Sequence, residues 1–145
     1  MSGKCGRLGE CRRRAEGNRL FTDPELARIG LSETEAEAQG IAYRLFKVSM
    51  ETNLRAHTLS ETRGFVKALV EAESDRILGF TAFAVGAGEI LAAVQVAMIA
   101  LLPYTALRDA VLTHPTLAEG LISLFSSAAS AHHVVETRGA QISAA

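Results

Sequence analysis

The chain is 145 residues long, enough for one hydrophobic core and short for two. A formal net charge of -1 and a pI near 6.4 supply no positive field for a phosphate backbone or an anionic bilayer, which argues against nucleic acid and membrane surfaces as partners. Apolar residues make up 48% of the chain and prolines number only three, the composition of a folded protein.

Residues 1–19 are rich in glycine and arginine without apolar periodicity and are expected to form a disordered leader. Cys5 and Cys11 both fall there and read as stray thiols. No apolar signal segment precedes them, so a cytoplasmic protein is expected. Leu20 begins a different composition, and a single domain is expected over 20–127 with a patternless tail at 128–145.

Asp23 precedes Pro24, which pushes it out of the helical region and closes a short extended piece. Ser32 and Glu35 have capping-box spacing and Gly40 is a stop, predicting a short, charged, exposed helix over 32–39. Residues 41–50 lean towards strand through Ile41, Tyr43, Phe46 and Val48, and ETNLRAH interrupts them. Two further strand-like runs follow at 64–70, with Val66, Ala68 and Val70 on one face, and at 76–85, joined by the loop Glu73-Ser74-Asp75. The fold class expected is therefore α+β, an antiparallel sheet with flanking helices.

Gly86-Ala87-Gly88 releases the chain into an apolar helix predicted over 89–102, with Ile90, Val94, Ala97 and Leu101 on one stripe and Ala93, Val96, Ile99 and Ala100 on the other faces. The run is too short for the ~18–20 residues of a membrane span. A helix apolar nearly all round needs cover on more than one side, which either a second copy or the last helix would provide. Residues 104–111 predict another turn or two of helix, and the last helix is predicted from Thr116, with Leu117, Leu121, Leu124 and Phe125 aligned.

His114 sits before Pro115, so its backbone is biased to an extended or turn geometry at the lip of that last helix. Glu119, one turn on, could hold one ring nitrogen and favour the imidazolium form, leaving the other nitrogen to exchange protons. The same spacing offers a plainer reading, in which Thr116 and Glu119 form a capping box and His114 is a surface residue of a turn. His57, His132 and His133 have no distinctive partners in the sequence and read as exposed histidines. No Cys/His metal spacing is present, and AVGAGE at 84–89 only superficially resembles a phosphate loop.

The segments LFTDPELARIGLSE (20–33), NLRA (53–56), GFVKA (64–68), RILG (76–79), AGEI (87–90) and HPTLAE (114–119) occur in the order and at the spacings of a known family. From Leu20 to Ser127 the chain resembles the C-terminal dimerisation domain of the pyridine nucleotide–disulfide oxidoreductases, which include dihydrolipoamide dehydrogenase, glutathione reductase and mercuric reductase. Residues 104–116 are most similar to the mercuric-reductase-like branch, although the tail lacks the cysteine pair usual there.

The resemblance implies that His114 is an acid–base histidine reaching across a dimer to the dithiol beside the partner's flavin, with Glu119 orienting and charging it. It also implies that the backbone of His114 and Pro115 lies near that flavin ring, in a family whose His-Pro bond is often cis. Arg55 and Ala56 match a family motif whose role is less defined. The family's flavin and nicotinamide domains, with their Gly-rich loops, have no counterpart here. FAD and NAD(P)H are thus implied for a complete enzyme only, and no activity is expected from this chain alone. A homodimer is expected, or a mixed dimer with a full-length reductase. Rival readings are a self-standing interaction module, a truncated gene product without catalysis, and, weakest, a small cofactor-free acid–base enzyme built on His114 and Glu119.

Overall fold

The computed structural model describes residues 17–20 and 22–133. Six antiparallel strands make one sheet: β1 (Gly17–Leu20), β2 (Leu26–Gly30), β3 (Tyr43–Ser49), β4 (Phe65–Glu71), β5 (Ile77–Phe83) and β6 (Ser130–His133), in the order β1-β2-β5-β4-β3-β6. The hairpin β4–β5 forms its centre, because two runs of apolar and β-branched residues are joined by a loop in which Asp75 takes a positive φ of 56°. The α+β class expected from the sequence is the one observed.

Both ends of the sheet exceed the boundaries expected from composition. The leader expected over 1–19 overlaps β1, where Gly17–Arg19 pair with Ile29–Ala27 in β2. The tail expected over 128–145 overlaps β6, which pairs with β3 across Tyr43–Leu45. Backbone pairing holds these edge strands, and neither has the alternation that would reveal it. Residues 1–16, with Cys5 and Cys11, and 134–145 lie outside the described residues.

One sheet face carries the main core. Ala27, Ile29, Phe46, Val66, Ala68, Val70, Phe80 and Ala82 are all buried, and the face predicted for β4 from Val66, Ala68 and Val70 is correct. Helix α3 (Ala87–Ile99) lies on β2 and β5, while α4 (Tyr104–Arg108) and α5 (Gly120–Ser126) pack together over β3. The opposite face has a smaller cluster of Tyr43, Leu69, Leu78 and Ala36, the last from helix α1 (Glu33–Ala38). α1 has both halves of the expected capping box: the Ser32 hydroxyl accepts from Glu35 N–H, and the Glu35 carboxylate accepts from Ser32 N–H. Between β3 and β4, a single 3₁₀ turn at Met50–Thr52 leads into the short helix α2 (Leu54–Thr58).

Helix α3 starts two residues before the expected Glu89 and stops three before Leu102. The early start follows from Gly86, whose φ of 63° is left-handed and lets the helix begin at Ala87. The early stop is a Schellman closure: Leu102 N–H reaches Ala97 O at 2.9 Å and Leu101 N–H reaches Met98 O at 3.2 Å, with Leu101 itself at φ 57°. Leu101 is consequently half exposed instead of continuing the buried stripe, which consists of Ile90, Leu91, Val94, Ala97 and Met98. The outer face stays apolar and is left uncovered by the other described residues: Val96 is 66% exposed and Ile99 54%.

The last helix likewise begins later than Thr116, at Gly120. Residues 117–122 are wound by three-residue hydrogen bonds, Gly120 N–H to Leu117 O, Leu121 N–H to Ala118 O and Ile122 N–H to Glu119 O, which make tight turns before α5 proper. Its apolar stripe is as predicted, with Leu121, Leu124 and Phe125 buried and Leu117 packed against the core.

Candidate acid–base site

The segment 109–119 leaves the body between α4 and α5, and its two ends are fixed by aromatic packing. Tyr104 of α4, Phe125 of α5 and Phe46 of β3 form a triangle with ring centroids 5.2, 5.5 and 5.8 Å apart. The Arg44 guanidinium lies 5.3 Å from the centre of the Tyr104 ring and pairs with Asp75. Against this closed base the segment itself is open: Val111 is fully exposed, and the His114 side chain is 67% exposed.

His114 Nδ1 lies 2.8 Å from Glu119 Oε2. An ionised carboxylate only accepts, so Nδ1 is the donor and Nε2 is turned away from the pair. Glu119 is the more sheltered partner, its side chain 18% exposed against 67% for His114. The His114–Pro115 peptide bond is cis, as is Asp23–Pro24.

The two readings of Thr116 and Glu119 turn out to share the same atoms. Thr116 Oγ1 accepts from Glu119 N–H at 3.2 Å, the first half of a capping box, and donates to Thr113 O at 2.8 Å. The Glu119 side chain does not complete the box; it bonds to His114 instead. Thus the hydroxyl shapes the turn while the carboxylate remains available to the imidazole.

Several separate sequence segments converge behind this turn. Asn53, at the N-cap of α2, is only 5% exposed and is the buried polar residue among those described. Its Oδ1 accepts from Ala56 N–H at 3.1 Å, and its Nδ2 donates to Thr116 O at 3.4 Å and Leu117 O at 3.3 Å. Gly120 permits that approach, since a Cβ there would stand 2.9 Å from Asn53 Nδ2. Leu117 Cδ1 packs so closely on Gly86 that a Cβ at 86 would meet it at 2.7 Å. In the sequence Asn53 stands only as the first residue of the matching segment NLRA, with no role of its own. The signal was a helix N-cap residue with no solvent-facing reason to be an amide, visible only once its burial is known.

Arg55 and Ala56, the matching motif residues, go separate ways: Ala56 is fully buried, whereas Arg55 is exposed and donates to Thr58 Oγ1 at 3.4 Å. His57 Nε2 lies 2.7 Å from Glu51 O, away from the His114–Glu119 pair. His132 and His133 are in β6, paired through the backbone with Arg44 and Tyr43.

The glycine-containing turn at 84–89 does join a strand to a helix, so its fit to a phosphate can be tested. Gly88 N–H is bonded by the Glu25 carboxylate at 3.3 Å, and Ala87 and Gly88 are buried. A carboxylate of this chain thus stands where the phosphate of FAD or a nicotinamide would have to lie, and the turn does not fit either cofactor. Among the described residues, no three His, Cys, Asp or Glu side chains come together to hold a metal ion. Nor is any helix among them long and apolar enough to cross a membrane.

Residues 18–124 match the family model described as the pyridine nucleotide-disulphide oxidoreductase dimerisation domain. The chain is 34% identical over 124 residues to the probable pyridine nucleotide-disulfide oxidoreductase RclA of Escherichia coli, a match covering 82% of this chain and 28% of RclA. It is 35% identical over 99 residues to a dihydrolipoyl dehydrogenase of Staphylococcus aureus, covering 68% of this chain and 21% of that enzyme. The solved structure of the HOCl-induced flavoprotein disulfide reductase RclA aligns with a TM-score of 0.74 at 34% identity, over 77% of this chain and 26% of that one. At 24% identity, LpdA from Mycobacterium tuberculosis shares the fold with a TM-score of 0.71, over 77% of this chain and 24% of LpdA. The chain thus spans about a quarter of the length of these relatives. With the sheet order, the helices laid across one face of it and the family match all in agreement, this chain belongs to the pyridine nucleotide-disulphide oxidoreductases through their dimerisation domain.

Proposed function

We propose that the chain acts as the dimerisation part of a flavin-dependent disulfide oxidoreductase, supplying His114 and Glu119 in trans to the dithiol site of a partner subunit. The observation that carries this reading is the 2.8 Å His114–Glu119 contact on an exposed segment with a rigid base. Nδ1–H stays on the Glu119 carboxylate, while Nε2 takes a proton from a thiol as it becomes a thiolate and returns it when the thiol re-forms. FAD and NAD(P)H, bound by the complete enzyme, supply electron transfer to and from the disulfide. The backbone of His114 and Pro115 is proposed to lie against the partner subunit's flavin in trans, and the chain alone, without the flavin and nicotinamide domains, is proposed to be inactive. Its setting is proposed to be the cytoplasm.

The finer placement draws on two likenesses. Residues 104–116 resemble the mercuric-reductase-like branch, while the RclA match extends over 124 residues. The first favours the mercuric-reductase-like branch, and the second the family as a whole.

The test joins this chain to the flavin and nicotinamide domains of a relative and compares His114 with His114→Ala. Loss of about 10²–10⁴-fold in turnover, with the pH profile changed, is expected for an acid–base residue. Unchanged turnover with an unchanged pH profile removes the catalytic role. A second reading, an interaction module that forms a homodimer or captures a full-length reductase, is favoured by the uncovered apolar face of Val96, Ile99, Leu101 and Leu102. It predicts a stable dimer of the purified chain whatever residue stands at 114.

A further inference from the structure

We infer that Asn53 is a positioning residue for the His114–Glu119 pair: its buried amide ties the turn that connects them to the sheet side of the molecule. The inference rests on the reading of that pair as a functional unit, and concerns what holds its geometry.

The internal bonds of the turn leave its orientation undetermined. Thr116 Oγ1 links Thr113 O to Glu119 N–H, and Gly120 N–H closes on Leu117 O, so these contacts would survive if the whole turn swung as a body. Asn53 supplies an external tie, 63 residues away in sequence from Thr116. It spends both amide protons on the carbonyls of Thr116 and Leu117, which lie between His114 and Glu119. The orientation of the amide is dictated by its surroundings, because exchanging oxygen and nitrogen would set Oδ1 against two carbonyls and Nδ2 against the Ala56 N–H. A residue serving only to cap α2 has no need of that second end, since serine or aspartate would cap as well. Burial of the amide also leaves no water to replace the tie if it is removed. Gly120 complements it, leaving room for the Asn53 nitrogen where any side chain would intrude.

The experiment uses the whole chain labelled with ¹⁵N, the His114 ring being assigned by comparison with H114Q. Asn53→Ser retains a capping oxygen for Ala56 N–H and removes the tie. At a pH where the imidazole is neutral, wild type is expected to show the Nδ1–H form of His114, as the Glu119 contact requires. Asn53→Ser should lose that bias, and amide exchange at Glu119 and Gly120 should accelerate about ten- to hundredfold, the size of two net hydrogen bonds, with β4 and β5 unchanged. Gly120→Ala, which crowds Asn53 from the other side, should reproduce the tautomer change if Asn53→Ser proves too unstable to study. A wild-type tautomer and wild-type exchange at the turn in either folded variant, or acceleration spread evenly over the sheet, would reduce Asn53 to a structural cap and overturn the inference. Neither result depends on turnover, so a failure of the catalytic reading in the chimera remains a separate event.

Discussion

The two faces of α3 are made of the same residue types and have opposite fates. Ile90, Val94 and Ala97 are closed over by β2 and β5, whereas Val96 and Ile99, on the same helix, face outward and are more than half exposed. The contrast repeats further along the chain, where the rings of Tyr104 and Phe125 are packed on Phe46 while the segment they bracket carries a fully exposed Val111 and an exposed His114. Apolar character alone therefore does not separate what holds this protein together from what it offers to a partner. Position relative to the sheet does.

The sharpest way to break this comparison is to place the same charge on each face of α3. Ala97→Glu puts a carboxylate at a site 2% exposed, with no cation on the helix to meet it, and should cost several kcal/mol, enough to abolish the cooperative urea transition. Val96→Glu, at 66% exposure, should leave the transition within about 0.5 kcal/mol of wild type while light scattering shows the dimer mass halved. A dimer that survives Val96→Glu would place the seam elsewhere. Next in size is Phe125→Ala, which removes two of the three ring contacts behind the His114 segment and should cost about 3–5 kcal/mol in urea unfolding.

These contrasts also explain what the sequence made legible. Period-two burial identified the face of β4 from Val66, Ala68 and Val70, and the 3.6-residue stripe identified Leu121, Leu124 and Phe125, because in both cases the helix–sheet interface selects the side chains directly. Edge strands β1 and β6 escaped notice because only their backbone pairing defines them. His114 and Glu119 were legible as a pair with two possible meanings, and spacing could not decide between a cap and a contact since Thr116 and Glu119 take part in both. Asn53 escaped because its partners, Thr116 O and Leu117 O, are carbonyls that no residue identity reveals.

A smaller effect distinguishes the minor core from the major one by pH. The Tyr43 hydroxyl donates to Glu37 Oε1 at 3.0 Å, and burial, reinforced by that carboxylate, pushes its pKa up from 10.0 to about 12. The unfolded chain then loses the phenolic proton first as pH rises. Tyr43 thus contributes stability fully present below pH 10, and this is lost as pH climbs from 10.0 through about 12, by at most about 2–3 kcal/mol. Urea unfolding at pH 9 and pH 11.5 should show the drop, and Tyr43→Phe should reduce it. An equal drop in Tyr43→Phe would assign it to other groups.

The smallest effect concerns the end of α3, where the two faces meet. Leu101 holds a left-handed φ of 57° at the position where helices usually place glycine, and its side chain is 50% exposed. In a monomer that arrangement has little to recommend it: the strain costs about 1 kcal/mol, and half of the leucine surface remains in water. Leu101→Gly relieves the strain but gives the unfolded chain more freedom, so the two changes nearly cancel and monomer stability should move by less than about 0.5 kcal/mol. If the exposed half is buried by a second copy, the same substitution should weaken the dimer by about 1 kcal/mol per subunit, measured by sedimentation across a dilution series. Unchanged association would detach Leu101 from the seam and leave its strained backbone as a feature of the helix end alone, with Val96 and Ile99 as the remaining candidates for the partner's contact.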